Sequence, residues 1–222
     1  MRSNNLALIN PPSAAHAFVQ PRARAVLPTE FGEYALHAFI DTRTQIEHMA
    51  LVLGQVSGER GVLTRVHSEC LTGDVFGSRR CDCGEQFKRA QQLIAQQGQG
   101  VILYLRGQEG RGIGLINKVR AYHLQDSGLD TVEANLALGL PVDDRQYDIA
   151  SGMLHHLQVA SIRLLSNNPD KSAALVAHGT QVDAMLALEV AWHAQNTRYL
   201  STKQQRMGHQ LSRTIGAPER QA

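Results

Sequence analysis

Val101-Ile-Leu-Tyr-Leu-Arg-Gly-Gln-Glu-Gly-Arg-Gly-Ile-Gly114 changes character after its fifth residue. The apolar run 101–105 predicts a buried strand. The nine residues that follow carry four glycines and feed a helix that runs to about Asp126, ahead of Ser127-Gly128. Upstream, 83–97 predicts a second helix, with Phe87, Ala90 and Ile94 on one face and Gly98 at its stop. Before it, the short apolar runs 34–40, 48–56 and 62–66 predict strands separated by turn formers such as Ser57-Gly58. Downstream, 147–157 predicts a helix with Ile149, Met153 and Leu157 on one side, 161–165 a strand, 170–178 a helix stopped by Gly179, and 198–211 a polar helix. The order predicts a mixed α/β (α+β) protein in which a β-rich N-terminal layer is followed by an α/β layer.

The domain expectation is a lead-in over 1–27, one catalytic domain over 28–211 and a fraying tail over 212–222. A formal charge of +2 is too small to imply nucleic-acid binding, yet Arg65, Arg79, Arg80, Arg106, Arg111, Lys118, Arg120, Arg145 and Lys171 concentrate positive charge mid-chain. Such a concentration suits an anionic small molecule as well as a solvated basic face. No apolar run reaches the roughly 20 residues of a membrane span, and the proline-interrupted N-terminal stretch lacks the apolar core of a secretory signal. Three cysteines leave an odd thiol under any disulfide scheme, which points to a reducing compartment, the cytoplasm, and to metal binding or catalysis.

Those cysteines form Cys70-x10-Cys81-x-Cys83. Three thiolates suit zinc, and a catalytic zinc keeps a fourth position for water or substrate, whereas a structural one closes its tetrahedron. His67 is the candidate fourth ligand, water the alternative. Reduced cysteines buried as small apolar residues are the plain alternative, against which stand their charged and glycine neighbours. The glycine-punctuated run 106–114 can present backbone donors to a phosphate, or serve only as a tight strand-to-helix connection; its spacing is not that of a dinucleotide site. Asp143-Asp144-Arg145 and Ser166-Asn-Asn-Pro-Asp-Lys171 lie where α/β sheets place ligands, and Tyr122 shares a helical face with Leu115 and Val119, the position of a core tyrosine.

Taken together, 65–74 (Arg-Val-His-Ser-Glu-Cys-Leu-Thr-Gly-Asp), 80–84 (Arg-Cys-Asp-Cys-Gly), 106–114, Asn117-Lys118, Arg120-Ala-Tyr122, 130–135 (Asp-Thr-Val-Glu-Ala-Asn) and 166–169 (Ser-Asn-Asn-Pro) resemble GTP cyclohydrolase II from about Leu27 to Leu211. The resemblance implies hydrolysis of GTP to 2,5-diamino-6-(5-phosphoribosylamino)pyrimidin-4(3H)-one, formate and pyrophosphate, the first step of riboflavin biosynthesis. It implies one zinc per subunit held by Cys70, Cys81 and Cys83, magnesium with the triphosphate, and a homodimer. By position, Arg65, Val66, His67, Ser68, Glu69, Gln86, Glu109, Gly110, Arg111, Thr131, Ser166 and Lys171 contact GTP. Asp143 is the proton acceptor, Tyr122 finishes ring opening, and Arg145 is the group assigned as nucleophile at the α-phosphate. A guanidinium stays protonated at neutral pH, so electrostatic stabilisation of the phosphorus centre is the other role open to Arg145.

Departures from the family pattern come late: Leu186-Ala187-Leu188 stands where Val-Pro-Leu is common, Asn196-Thr197 where Asn-Glu is, and Ser166 where threonine is. A paralogue running the same reaction for a toxin or antibiotic pathway shares these motifs. A zinc-stabilised nucleic-acid binder would show four ligands and stacking aromatics, against three cysteines and 5% aromatic residues here. The bifunctional form with a butanone-phosphate synthase domain does not fit into 222 residues, and one catalytic domain is expected.

Overall fold

The computed structural model describes residues 16–212, so most of the expected lead-in and the tail beyond 212 lie outside the described residues. A seven-stranded sheet runs through the molecule in the order β1-β2-β3-β5-β4-β6-β7. β1 (Val19–Thr29), β2 (Gly32–Asp41) and β3 (Ile46–Leu53) form an antiparallel meander that joins β5 (Gly100–Leu105) antiparallel. From β5 onward through β4 (Val62–Ser68), β6 (Ile162–Leu165) and β7 (Val182–Leu186) the pairs are parallel.

The parallel half explains its own sequence. Six of the seven residues of β4 are buried, because helices cover both faces and alternation has no solvent side to serve. α2 (Cys83–Gln97) covers one face, seating Ala90 and Ile94 against Leu51, Leu63, Ile102 and Leu165. Ile94 is fully buried and contributes about 1.5–3 kcal/mol by removal from water. α5 (Asp148–His156) covers the other, with Ile149, Met153 and Leu154 against Val66, Val101 and Leu103. The carboxyl ends of β4, β5 and β6 open on one edge, where 68–74, 106–114 and 166–171 gather.

Three expectations are corrected. Residues 19–27, read as lead-in, form most of β1 and pair with β2 from Val19↔Asp41 to Thr29↔Gly32. β1 is an edge strand whose residues are mostly exposed, so it carries no apolar alternation, and its two prolines sit where an edge tolerates them, Pro21 at a bulge and Pro28 near the end. Its anchor is Val19, fully buried over Gly152 of α5, where an added Cβ would stand 2.4 Å from the valine Cγ2. The helices α1 (Leu71–Asp74) and α4 (Thr131–Ala137) were not anticipated; both are too short for periodicity, although α4 opens on an Asp130/Glu133 capping box. Leu115 and Val119 of α3 (Leu115–Asp126) are exposed, so Tyr122 does not sit on a core face. The last helix, α7 (Thr197–Arg206), is shorter than expected, and α6 (Pro169–Ala177) completes the set.

Candidate active site

Cys70 ends the loop after β4, while Cys81 and Cys83 stand at the start of α2. Their sulfurs lie within 4.8 Å of one another, with Cys70 Sγ 3.7 Å from Cys81 Sγ, and this is the cluster able to hold a metal ion among the described residues. Two glycines permit it. A Cβ on Gly73 would stand 3.0 Å from Cys81 Sγ and 3.1 Å from Cys70 Sγ, and one on Gly84 would fall 2.3 Å from the Gly73 carbonyl. Hydrogen bonds from the two other thiols hold Cys70 as thiolate well below its ordinary pKa, helped by Lys118 Nζ at 3.2 Å. That thiolate pushes Cys81 up to about 12 and raises Cys83 well above the ordinary thiol range. The protein alone thus stabilises one negative sulfur; three require a cation among them.

His67 belongs to a different arrangement. Its Nε2 lies 3.0 Å from both carboxylate oxygens of Asp74, and its ring stacks on Tyr104, whose hydroxyl donates to Asp74 at 2.8 Å. Burial lowers its pKa despite Asp74. The Asp74 carboxylate also accepts the Cys70 N–H at 3.0 Å, so His67 and Tyr104 orient the loop that carries the first cysteine.

Beside the cluster, Glu109 accepts the Leu71 N–H at 2.7 Å and Lys118 Nζ at 2.5 Å. Lys118 also donates to Thr72 Oγ1 at 2.8 Å, and Thr72 shares a hydrogen bond with the Tyr122 hydroxyl at 3.2 Å. Burial opposes the Lys118 charge, but Cys70 and Glu109 outweigh it and raise its pKa; burial likewise raises that of Tyr122. A cleft opens here, and its walls include Cys70, Cys81, Cys83, Lys118 and Tyr122.

A second cleft adjoins it. Arg65, 7% exposed, donates to the Leu165 carbonyl at 3.0 Å and to Gln86 Oε1 at 2.7 Å; Gln86 in turn donates to Asp82, which accepts Lys203 Nζ at 2.7 Å. Lys171, 4% exposed, has the Val66 carbonyl at 2.8 Å and no carboxylate partner among its hydrogen bonds. Burial, then the charges of Arg65, Arg145 and Lys203, hold its pKa well below normal. Arg145 is gripped through its guanidinium by Asp143; burial works against that charge, yet the carboxylate raises its pKa. Burial works against Asp143 too, but Arg145 holds its pKa below the usual carboxylate range.

Of the residues implied by sequence, Ser68, Glu69, Gly110, Arg111, Tyr122, Thr131 and Arg145 line the first cleft with the cysteines. Arg65, His67, Ser68, Gln86, Arg111, Arg145, Ser166 and Lys171 line the second. Ser68, Cys83, Arg111, Arg145 and Tyr199 border both. Val66 buries its side chain in the core and offers only its carbonyl, Glu109 is engaged with Lys118 and Leu71, and Asp143 stands behind Arg145. Roles for Lys118, Asp82, Thr72, Tyr199, Lys203 and His209 were not foreseen. Thr72 and Lys118 lie within the family motifs and Asp82 between two cysteines, whereas Tyr199, Lys203 and His209 carry no local signal.

A thiol cluster at the carboxyl edge of a mixed sheet shares a wall with a cation-lined cleft, at the place where α/β sheets carry their ligands. The family model described as GTP cyclohydrolase II matches residues 20–187, and the chain belongs to that family. A "Riboflavin biosynthesis protein RibBA" from Salinispora tropica is 55% identical over 189 residues, covering 85% of this chain and 47% of the relative. A "GTP cyclohydrolase-2" from Neisseria meningitidis serogroup C is 52% identical over 186 residues, covering 84% of this chain and 93% of the relative. The chain spans about half the length of the RibBA relatives it matches. No helix among the described residues is long and apolar enough to cross a membrane.

Proposed function

We propose that the protein hydrolyses GTP to the diaminopyrimidine phosphate, formate and pyrophosphate as the first step of riboflavin biosynthesis. The observation that carries this is the shared wall: a thiol cluster suited to hydrolysis and a cleft with more cations than carboxylates meet at Ser68, Cys83, Arg111 and Arg145. Zinc fits the cluster, since sulfurs on a tetrahedral zinc at about 2.3 Å lie roughly 3.8 Å apart, close to the 3.7 Å between Cys70 and Cys81. Bound zinc supplies Lewis acidity for hydrolytic attack on an electron-poor carbon, here C8 of guanine.

The chain's own residues do the rest. Arg65, Arg111 and Lys171 draw the triphosphate into the second cleft, where magnesium entering with it would neutralise part of its charge. Arg145, protonated throughout, sits on the shared wall and stabilises charge developing at the α-phosphate; that state makes it an electrostatic group rather than a nucleophile. Asp143 fixes the guanidinium on two sides, and so paired it is a weak proton acceptor. Water adding at C8 breaks one C8–N bond and leaves a formamide; Tyr122, kept protonated by burial and held by Thr72, donates to the departing exocyclic amine when a second water breaks the remaining C8–N bond and releases formate. Glu109 and Lys118 hold the Cys70 loop and balance its thiolate. A homodimer is supported by Val75, Phe76, Ile116 and Val119, apolar and each more than half exposed, and the cytoplasm by three free cysteines. Purified protein incubated with GTP, zinc and magnesium tests the reaction: formate, pyrophosphate and the diaminopyrimidine appearing together is the expected result, and absence of turnover overturns it. A secondary pathway would be exposed by failure to rescue a riboflavin-requiring strain.

A further inference from the structure

The segment after β7 lies beyond the 20–187 family match, yet it borders both clefts. Tyr199 of α7 stands on the shared wall, its ring 5.7 Å from the Arg111 guanidinium and 4.6 Å from Lys203 Nζ. Lys203 reaches inward to Asp82, itself 1% exposed, at the start of α2. After the helix, Gln210 donates its N–H to the Asn167 carbonyl at 2.8 Å, tying the chain to the loop that opens α6. On the metal side, Arg206 pairs with Asp130 and Glu133 of α4. Asn196, fully buried, sets the entry to the helix by accepting the His193 N–H at 2.9 Å and donating to the Ala191 carbonyl at 3.1 Å.

We propose that α7 and the turn after it form the closing wall of the polyphosphate site, with Lys203 and His209 contacting the phosphates of the substrate and Tyr199 packing between Lys203 and Arg111. The inference rests on the GTP reading given above. The second cleft gathers Arg65, Arg111, Arg145, Lys171, Lys203 and His209. The carboxylates beside these groups are Asp82, on Lys203, and Asp143, on Arg145. The remaining positive charge matches a multiply charged anion, and a monoanion would leave part of it unbalanced. By this account the late departures from the family pattern sit near a substrate wall rather than in a remote lobe.

The test measures binding of inorganic pyrophosphate and of GTP, with magnesium, to the zinc-loaded full-length protein and to its Lys203→Met and His209→Ala variants. Losing a charge-assisted contact should weaken pyrophosphate binding about tenfold to a hundredfold in Lys203→Met, with a smaller loss in His209→Ala and partial recovery in Lys203→Arg. Zinc content is read alongside, because Lys203→Met also strips Asp82 of its cation. His209→Ala touches no ion pair and keeps the test valid if Lys203→Met folds poorly. In the wild-type protein, pyrophosphate should slow tryptic cleavage after Arg198, Lys203 and Arg206. Unchanged affinity in His209→Ala together with cleavage indifferent to pyrophosphate overturns the proposal while the GTP reading stands. A wild-type protein that binds neither GTP nor pyrophosphate removes both.

Discussion

The two clefts are assembled in opposite ways. The thiol cluster comes from one short stretch, Cys70 to Cys83, completed by Glu109, Lys118 and Tyr122 across the next turn of chain. The cation-lined cleft collects side chains from Arg65 in the middle of β4 to His209 beyond α7, more than half the chain apart. The first is a local construction that the fold supports; the second exists only once the parallel sheet is complete. Damage to the cluster should therefore be all-or-none, whereas damage to the cation cleft should be graded.

The largest expected effect is that of Cys81→Ser, which should lose zinc and ring opening together; a variant with full zinc and full formate release would break the contrast. Lys171→Met should keep zinc while turnover falls about a hundredfold to a thousandfold, the scale of losing one preorganised charge. The same lysine gives a pH signature. Its pKa is depressed in the free protein, so it carries less charge as pH rises, and a bound polyanion pulls its proton back. GTP binding should thus take up a proton and weaken with rising pH, a dependence that calorimetry in buffers of different ionisation heat would detect and that Lys171→Met should flatten. For stability the sign is reversed. The unfolded chain holds that proton at pH values where the folded one has released it, so the contribution of Lys171 to the free protein's stability grows more favourable as pH rises towards the ordinary lysine range.

Smaller effects sharpen the division of labour. Tyr122→Phe should preserve pyrophosphate release while slowing pyrimidine formation by about a hundredfold, the low end for a general acid; an unaltered product ratio would remove Tyr122 from that step. Gly152→Ala sits far from both clefts, under Val19, and overpacking there should cost about 1–3 kcal/mol. Its melting temperature should fall with kinetic constants unchanged, which separates the anchoring of β1 from chemistry.

How much of this was legible in the sequence follows from the same contrast. The parallel strands and α2 announced themselves because burial on both faces and helical periodicity leave local marks. The cysteines were legible by spacing. β1 was not, since an exposed edge strand can be proline-bearing and polar, and its stability comes from pairing with β2 and from one buried valine. His67 illustrates a subtler limit: its place near Cys70 suggested a fourth ligand, yet only the structure puts Asp74 against its Nε2. Lys203 and Asp82, 121 positions apart, meet because α7 folds back on the start of α2, and no window of sequence contains that fact.

The lone ammonium of Lys171 also bears on discrimination. Its neighbours repel its charge, and that repulsion is relieved in proportion to the negative charge a ligand brings. On the GTP reading, recognition by deficit is the expected consequence: guanosine and its monophosphate should bind weakly for the oxygens they lack rather than for any clash, because they cancel less of the charge gathered in the protein's own interior.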